Sequence, residues 1–129
     1  MERFKKTEGT WMMAPSEGFS TLIMVTSDGM GKAEEPLRKK LIRTYLRLLN
    51  ENGLLPGAIC FYGDGVKLVV EGSHVLDELK LLESKGVHLI ICNTCLNYFG
   101  LADRVAVGVV GGMVDMISAQ WKAEKVITI

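Results

Sequence analysis

The chain has 129 residues, 48% of them apolar and 23% charged, which is enough core-forming material for one domain and excludes wholesale disorder. Fifteen basic residues balance fifteen acidic ones, so there is no electrostatic footprint for nucleic acid or an anionic membrane. The longest apolar stretch, Val105 to Val114, contains three glycines and is half the roughly 20 residues that a membrane-spanning helix needs. The opening residues MERFKKTEGTWMM carry charge but no apolar signal-type run, and an odd count of three cysteines cannot be fully paired internally. Both features favour a reducing cytoplasm.

Residues 1–19 show no useful periodicity and read as a loose leader to a single domain over 20–129, with Trp11 and Phe19 as candidates to pack on its body. Thr21 to Val25 is a short apolar run, as expected of a strand buried on both faces, and it ends in the loop Thr26-Ser27-Asp28-Gly29-Met30-Gly31. A helix begins near Pro36, a good first-turn residue. Its apolar stripe is Leu37, Leu41, Tyr45 and Leu48, widened by Ile42, Leu46 and Leu49, and Asn52-Gly53 ends it. Ala58 to Tyr62 is a second buried strand, turned by Gly63-Asp64-Gly65; Val66–Val70 fits either a strand or a helical turn. Ser73 is placed to cap a helix carrying Val75, Leu76, Leu79 and Leu82, which stops at Gly86. Val87 to Cys92 is the third strand, followed by a short helix from Asn93 to Gly100. Arg104 to Val110 reads as the fourth strand, Met113 to Ala123 as a helix and Lys125 to Ile129 as the fifth strand.

This rhythm predicts a flavodoxin-like, doubly wound α/β fold: about five mainly parallel strands with helices on both faces and right-handed crossovers. Ligands of such sheets bind at the carboxyl ends of the strands. That rule selects the loops at Asp28–Gly31, Gly63–Gly65, Asn93–Cys95 and Gly111–Met113.

Cys92-Asn93-Thr94-Cys95 is the principal chemical motif. It lies where the third strand runs into a helix start, and unpaired N–H groups there favour a thiolate. Cys95 is expected to be the more exposed of the two, with Cys92 completing an apolar strand and Cys60 inert in mid-strand. Zinc needs four ligands, and His74 and His88 have no paired spacing, so no metal is expected. Thioredoxin chemistry lacks its proline: Pro15, Pro36 and Pro56 all precede the dithiol. The loop Asp28 to Lys32 fails the dinucleotide fingerprint at Glu34 and the P-loop pattern at Thr26 and Ala33, though it remains able to cradle a small anion. Asp28, Gly29, Tyr62 and Lys67 are the expected neighbours of the thiols. Met113 and Met116, at helical spacing, are expected in the core.

With these residues assembled, the sequence resembles the DsrE-like sulfur-relay family. It is most similar to the DsrE-like domain of the YedF proteins, described as sulfurtransferase-like selenium metabolism proteins. The matching segments are Val25 to Gly31, Phe61 to Leu68 with Glu71-Gly72-Ser73, Gly86-Val87 and Cys92 to Leu101, within about residues 20–129. The resemblance implies a flavodoxin-like fold, a homo-oligomer, a helical turn at Val66–Val70 and a persulfide-carrying cysteine in the Cys92–Cys95 block. We assign that role to Cys95. YedF proteins usually carry an upstream TusA-like domain with a Cys-Pro motif. Residues 1–19 are too few for it and hold no cysteine, so the partner thiol is expected on another chain.

The expectation is therefore a small cytoplasmic, sulfurtransferase-like carrier of sulfur or selenium. It would need no cofactor and pass a Cys95 persulfide between donor and acceptor proteins, a TusA-like protein among them. Cys92 would assist, and Asp28, Gly29, Tyr62, Lys67, Asn93 and Thr94 would contact the substrate group. The alternative is a non-catalytic module for a small anion or nucleotide, or a scaffold subunit of a sulfur-relay complex.

Overall fold

The structure, a computed structural model, describes residues 20–129 in full and only the backbone of 5–7, 10–12 and 19. In the leader, β1 (Lys5–Thr7) and β2 (Thr10–Met12) form a short antiparallel ladder. The expected packing of Trp11 and Phe19 lies outside the described residues.

Five parallel strands form the central sheet: β3 (Phe19–Val25), β4 (Ala58–Phe61), β5 (His88–Cys92), β6 (Val109–Gly111) and β7 (Ala123–Thr128). Their order is β6-β5-β4-β3-β7, with every ladder parallel. The expected α/β architecture is thus present. Leu22 to Val25, Ala58 to Phe61 and Leu89 to Cys92 are all buried, which is why these segments read as continuous apolar runs instead of alternating ones.

From β3 to β6 the chain steps in one direction through α1 (Glu35–Glu51), α2 (Leu76–Ser84) and α3 (Asn93–Tyr98). It then returns through α4 (Met113–Lys122) to place β7 on the other side of β3. Right-handed crossovers put opposite steps on opposite faces, so α1 and α2 pack together on one face and α4 covers the other. Among the described residues no helix is long and apolar enough to cross a membrane.

Four local expectations are corrected. The fourth strand is only Val109–Gly111, because Arg104 to Val107 is drawn aside to Val70: Val105 bridges Val70 antiparallel, and the Ala106 N–H donates to the Val69 carbonyl at 2.8 Å. Gly108, at φ 86°, then turns the chain into the sheet, and a Cβ there would strike the Ile91 side chain. The core face of α1 is Ile42, Leu46 and Asn50, with Tyr45 and Leu49 packed beside it, whereas Leu37, Leu41 and Leu48 are exposed because the sheet covers a narrower arc than the apolar stripe. Ser73 is not the cap residue of α2; Val75 is, and its N–H donates to Ser73 Oγ at 3.3 Å. Met116 is buried as expected, but Met113, at the first position of α4, is exposed.

Val66 to Val69 fall in a 3-10 helix, Gly63–Val69, with Val66, Leu68 and Val69 buried, and Val70 follows as its extended C-cap, bridged to Val105. Gly65 lies against the end of β3, and a Cβ on it would collide with the Val25 carbonyl oxygen. Gly65→Ala should therefore push this turn off the sheet and cost about 1–3 kcal/mol, as overpacking does. Urea unfolding of wild type and variant measures this; an unchanged midpoint would show that the turn has room to spare.

Candidate functional site

The carboxyl ends of β4 and β5 lie side by side, since Phe61 pairs with Ile91 in their parallel register. After β4 the chain turns at Gly63, whose φ of 58° is left-handed and whose Cβ position lies 3.3 Å from the Thr26 carbonyl oxygen. After β5 it enters α3 directly. Cys92 is the N-cap of α3, and its Sγ accepts the Cys95 N–H at 3.4 Å. Cys95 therefore sits in the first turn of α3, which starts at Asn93 as the sequence predicts. The two loops meet at its sulfur: the Gly63 N–H donates to Cys95 Sγ at 3.1 Å.

The three free cysteines grade from surface to core: Cys95 is half-buried, whereas Cys92 and Cys60 are buried. Burial pushes the Cys60 thiol up to about 12, and the nearby Asp115 carboxylate adds to this. Burial, followed by the hydrogen bond with Cys95, also raises Cys92, while the N–H groups of Cys95 and Thr94 oppose the rise. Of the three, Cys95 alone combines access from solvent with a fixed donor on its sulfur.

The other expected residues surround this point at different ranges. Asn93 and Thr94 are exposed on the first turn of α3. Tyr62 is half-buried and starts the 3-10 turn, its N–H donating to the Val25 carbonyl at 3.1 Å. Lys67 pairs with Asp64 at 2.8 Å and sits 4.5 Å above the Phe99 ring. The Asp64 hydrogen bond, joined by the charges of Asp64 and Asp28, holds the Lys67 ammonium above its ordinary pKa. Asp28 is engaged by Arg38, whose Nη1 reaches Oδ1 at 3.0 Å. Burial works against ionisation of Asp28, but the Arg38 hydrogen bond and the charges of Lys39, Arg38 and Lys67 outweigh it and hold the carboxyl below its usual 3.8. Gly29 is buried against the same arginine, and a Cβ there would meet Arg38 Cβ at 2.7 Å.

Sequence reasoning missed Gly63 as the donor, along with Arg38 and Phe99 as supports. The Gly-Asp-Gly turn after the second strand, on the same sheet edge as the dithiol, was the available signal for Gly63. Among the described residues no group of three His, Cys, Asp or Glu side chains is placed to hold a metal.

A family model described as the DsrE/DsrF-like family matches residues 21–129. The chain belongs to the DsrE/DsrF-like family. Solved structures of the same fold include the ychN protein from E. coli, 19% identical, covering 85% of this chain and 99% of that one with a TM-score of 0.64. A protein of unknown function from Bacteroides thetaiotaomicron, BT1422, is 19% identical over 85% of this chain and 95% of its own, at a TM-score of 0.62. MTH1491 from Methanobacterium thermoautotrophicum, also of unknown function, is 17% identical over 83% and 98%, at 0.58. No curated protein matches the sequence. The match of this DsrE/DsrF-like domain begins within β3, so the whole dithiol edge falls inside it.

Two measurements probe the site. Iodoacetamide at neutral pH, mapped by peptide mass spectrometry, should label Cys95 first, Cys92 more slowly and Cys60 only after unfolding; rapid native labelling of Cys60 would contradict its enclosure. Asp28 is more acidic in the fold than in the unfolded chain, so its contribution is present above the ordinary 3.8 and lost as pH falls through the folded value. Asp28→Asn should therefore cost on the order of 1 kcal/mol near neutrality. The difference from wild type should shrink in acid, and a difference that grows there would reverse the sign.

Proposed function

We propose that this DsrE/DsrF-like protein carries sulfur as a persulfide on Cys95. The observation that carries the reading is the half-exposed Cys95 thiol at the carboxyl edge of the sheet, with the Gly63 N–H fixed on its sulfur. A thiol in that position meets a partner's persulfide while the main chain holds its direction. In the loading step the Cys95 thiolate attacks the outer sulfur of a donor persulfide. A new sulfur–sulfur bond forms at Cys95, the donor's sulfur–sulfur bond breaks, and the donor leaves as a thiolate. The proton that the outer sulfur carried stays with it, and no external oxidant or reductant is needed. The reverse exchange delivers the sulfur to an acceptor thiol. The Gly63 N–H supplies a preorganised dipole to the reacting sulfur in both directions.

Cys92 stands behind Cys95 and orders the turn by accepting its N–H. Asn93 and Thr94 are exposed beside the thiol and would touch the incoming group, with Tyr62 and Lys67 on the facing loop. The resemblance of the sequence to YedF proteins is the support for a selenium-related variant of the same exchange, with a TusA-like protein as partner, and the odd cysteine count for a reducing cytoplasm as setting.

We also infer self-association through α4. Met113, Val114, Ile117 and Trp121 are exposed along one side of this helix, Trp121 at 82%. A contiguous apolar stripe of this kind is unusual on a monomer. Light scattering should give a mass well above that of one chain, and Trp121→Glu should lower it; a wild-type mass near 14.2 kDa at all concentrations would contradict the inference.

Intact-mass spectrometry after incubation with a small persulfide donor tests the carrier reading. Wild type and Cys92→Ser should gain one sulfur atom and Cys95→Ser none. Gain in Cys95→Ser with loss in Cys92→Ser would move the role to Cys92. No gain in any form would favour a non-catalytic module.

A further inference from the structure

The whole chain is neutral, yet its charge is locally segregated. A cleft of about 230 Å³ between α1 and the segment before α2 is lined by Lys39, Lys40, Arg43, Thr44, Arg47 and His74, with no carboxylate among the lining residues. His74 fixes one wall, since its Nε2 lies 2.9 Å from the Lys39 carbonyl oxygen and must donate to it. Lys39 and His74 also line a second cleft of about 380 Å³, which continues past Glu71, its one carboxylate, to Lys67. Lys67 covers the Phe99 ring, and the Phe99 N–H donates to the Cys95 carbonyl at 3.1 Å. The two clefts thus form a basic track that starts beside the Cys95 loop. It descends α1 from Lys39 to Arg47, a span of about 12 Å at the helical rise.

Lys67 is held by Asp64 at 2.8 Å, whereas the cations that α1 lends to the track sit in longer or more exposed pairs. Lys39 reaches Glu35 at 3.9 Å, Arg47 reaches Glu51 at 3.8 Å and Arg43 reaches Glu78 at 3.2 Å, in pairs whose basic side chains are 35–58% exposed. Lys40 has no ion pair among the described residues. The Lys39–Glu35 and Arg47–Glu51 pairs are exposed and contribute little, so carboxylates of another chain can replace them at small cost, whereas the largely buried Glu78 keeps Arg43.

Resting on the carrier reading, we propose that this track docks an acidic segment of the protein that exchanges sulfur with Cys95. Carboxylates spaced along about 12 Å would lie on α1 while the partner's sulfur reaches the thiol at the top of the track. Complementary charge of this type acts mainly on the encounter rate and on the choice of partner, and salt screens it.

Three synthetic peptides test this, each with one cysteine persulfide flanked by glutamates, serines or lysines. The rate of sulfur transfer to the full chain should be about tenfold higher for the glutamate peptide than for the lysine peptide at low salt, within the range of electrostatic steering. High salt should bring that ratio towards one in wild type, as should Lys40→Glu combined with Arg47→Glu. Lys122→Glu, on α4 over the other face of the sheet, should keep the ratio. Equal rates for the three peptides at low salt would overturn the proposal while leaving the carrier reading intact. If no peptide transfers sulfur, fluorescence anisotropy of the same peptides as thiols decides it. Tighter, salt-sensitive binding of the glutamate peptide, lost in the Lys40→Glu and Arg47→Glu double variant, would support the docking surface without the chemistry. Equal binding would remove it.

Discussion

The hydrogen bond from the Gly63 main chain to Cys95 Sγ joins a turn and a helix start that the sequence holds 32 residues apart, and the site depends on what makes that contact possible. β4 and β5 are parallel neighbours in register, so their carboxyl ends finish at the same height. The chain leaving β4 must then bend at once towards α3. Gly63 allows the bend by taking a left-handed conformation, and Gly65 keeps the 3-10 turn pressed on the end of β3, where a side chain would strike the Val25 carbonyl. The Gly-Asp-Gly turn therefore acts as a positional device: a main-chain donor reaches the sulfur because no side chain stands in between.

Around that contact the protein separates access from reactivity by depth. Cys60, in the middle of β4, is shielded on both sheet faces, and its thiol is pushed up to about 12 by burial, with Asp115 adding to it. Cys92 closes β5, is buried, and spends its sulfur on the Cys95 N–H. Cys95 is one turn further out. Ionic groups frame the same edge without touching the sulfur: Arg38 ties Asp28 to α1, and Lys67 divides itself between Asp64 and the Phe99 ring. These pairs are individually weak where exposed. Together they tie the Asp28 loop to α1 and the 3-10 turn to the end of α3.

Much of this was legible in the residues. The apolar runs at Leu22–Val25, Ala58–Phe61 and Leu89–Cys92 could only be strands buried on both faces, and the helices between them fixed the α/β class. The same arrangement put Cys92 and Cys95 at the ligand edge and Cys60 inside. The misread features depend on contacts distant in sequence. Arg104 to Val107 has strand composition, but its partner is Val70, reached through the 3-10 turn. Leu37, Leu41 and Leu48 fall on the helical stripe of α1, yet the sheet beneath is narrower than the stripe. The start of α3 at Asn93 was read correctly, but that Cys92 caps it was not, because β5 continues into the helix with no intervening loop. The Gly-Asp-Gly turn marked the place of Gly63, but its role as a donor rests on a main-chain atom that any residue possesses.

The measurement that tests the account most directly follows the Gly63 amide resonance in isotope-labelled protein as Cys95 is loaded from a persulfide donor. The account predicts that Gly63 is among the residues whose signals move most, that Gly53 at the far end of α1 stays in place, and that Cys95→Ser abolishes the change. A Gly63 signal that stays fixed while Cys95 demonstrably gains sulfur would contradict it.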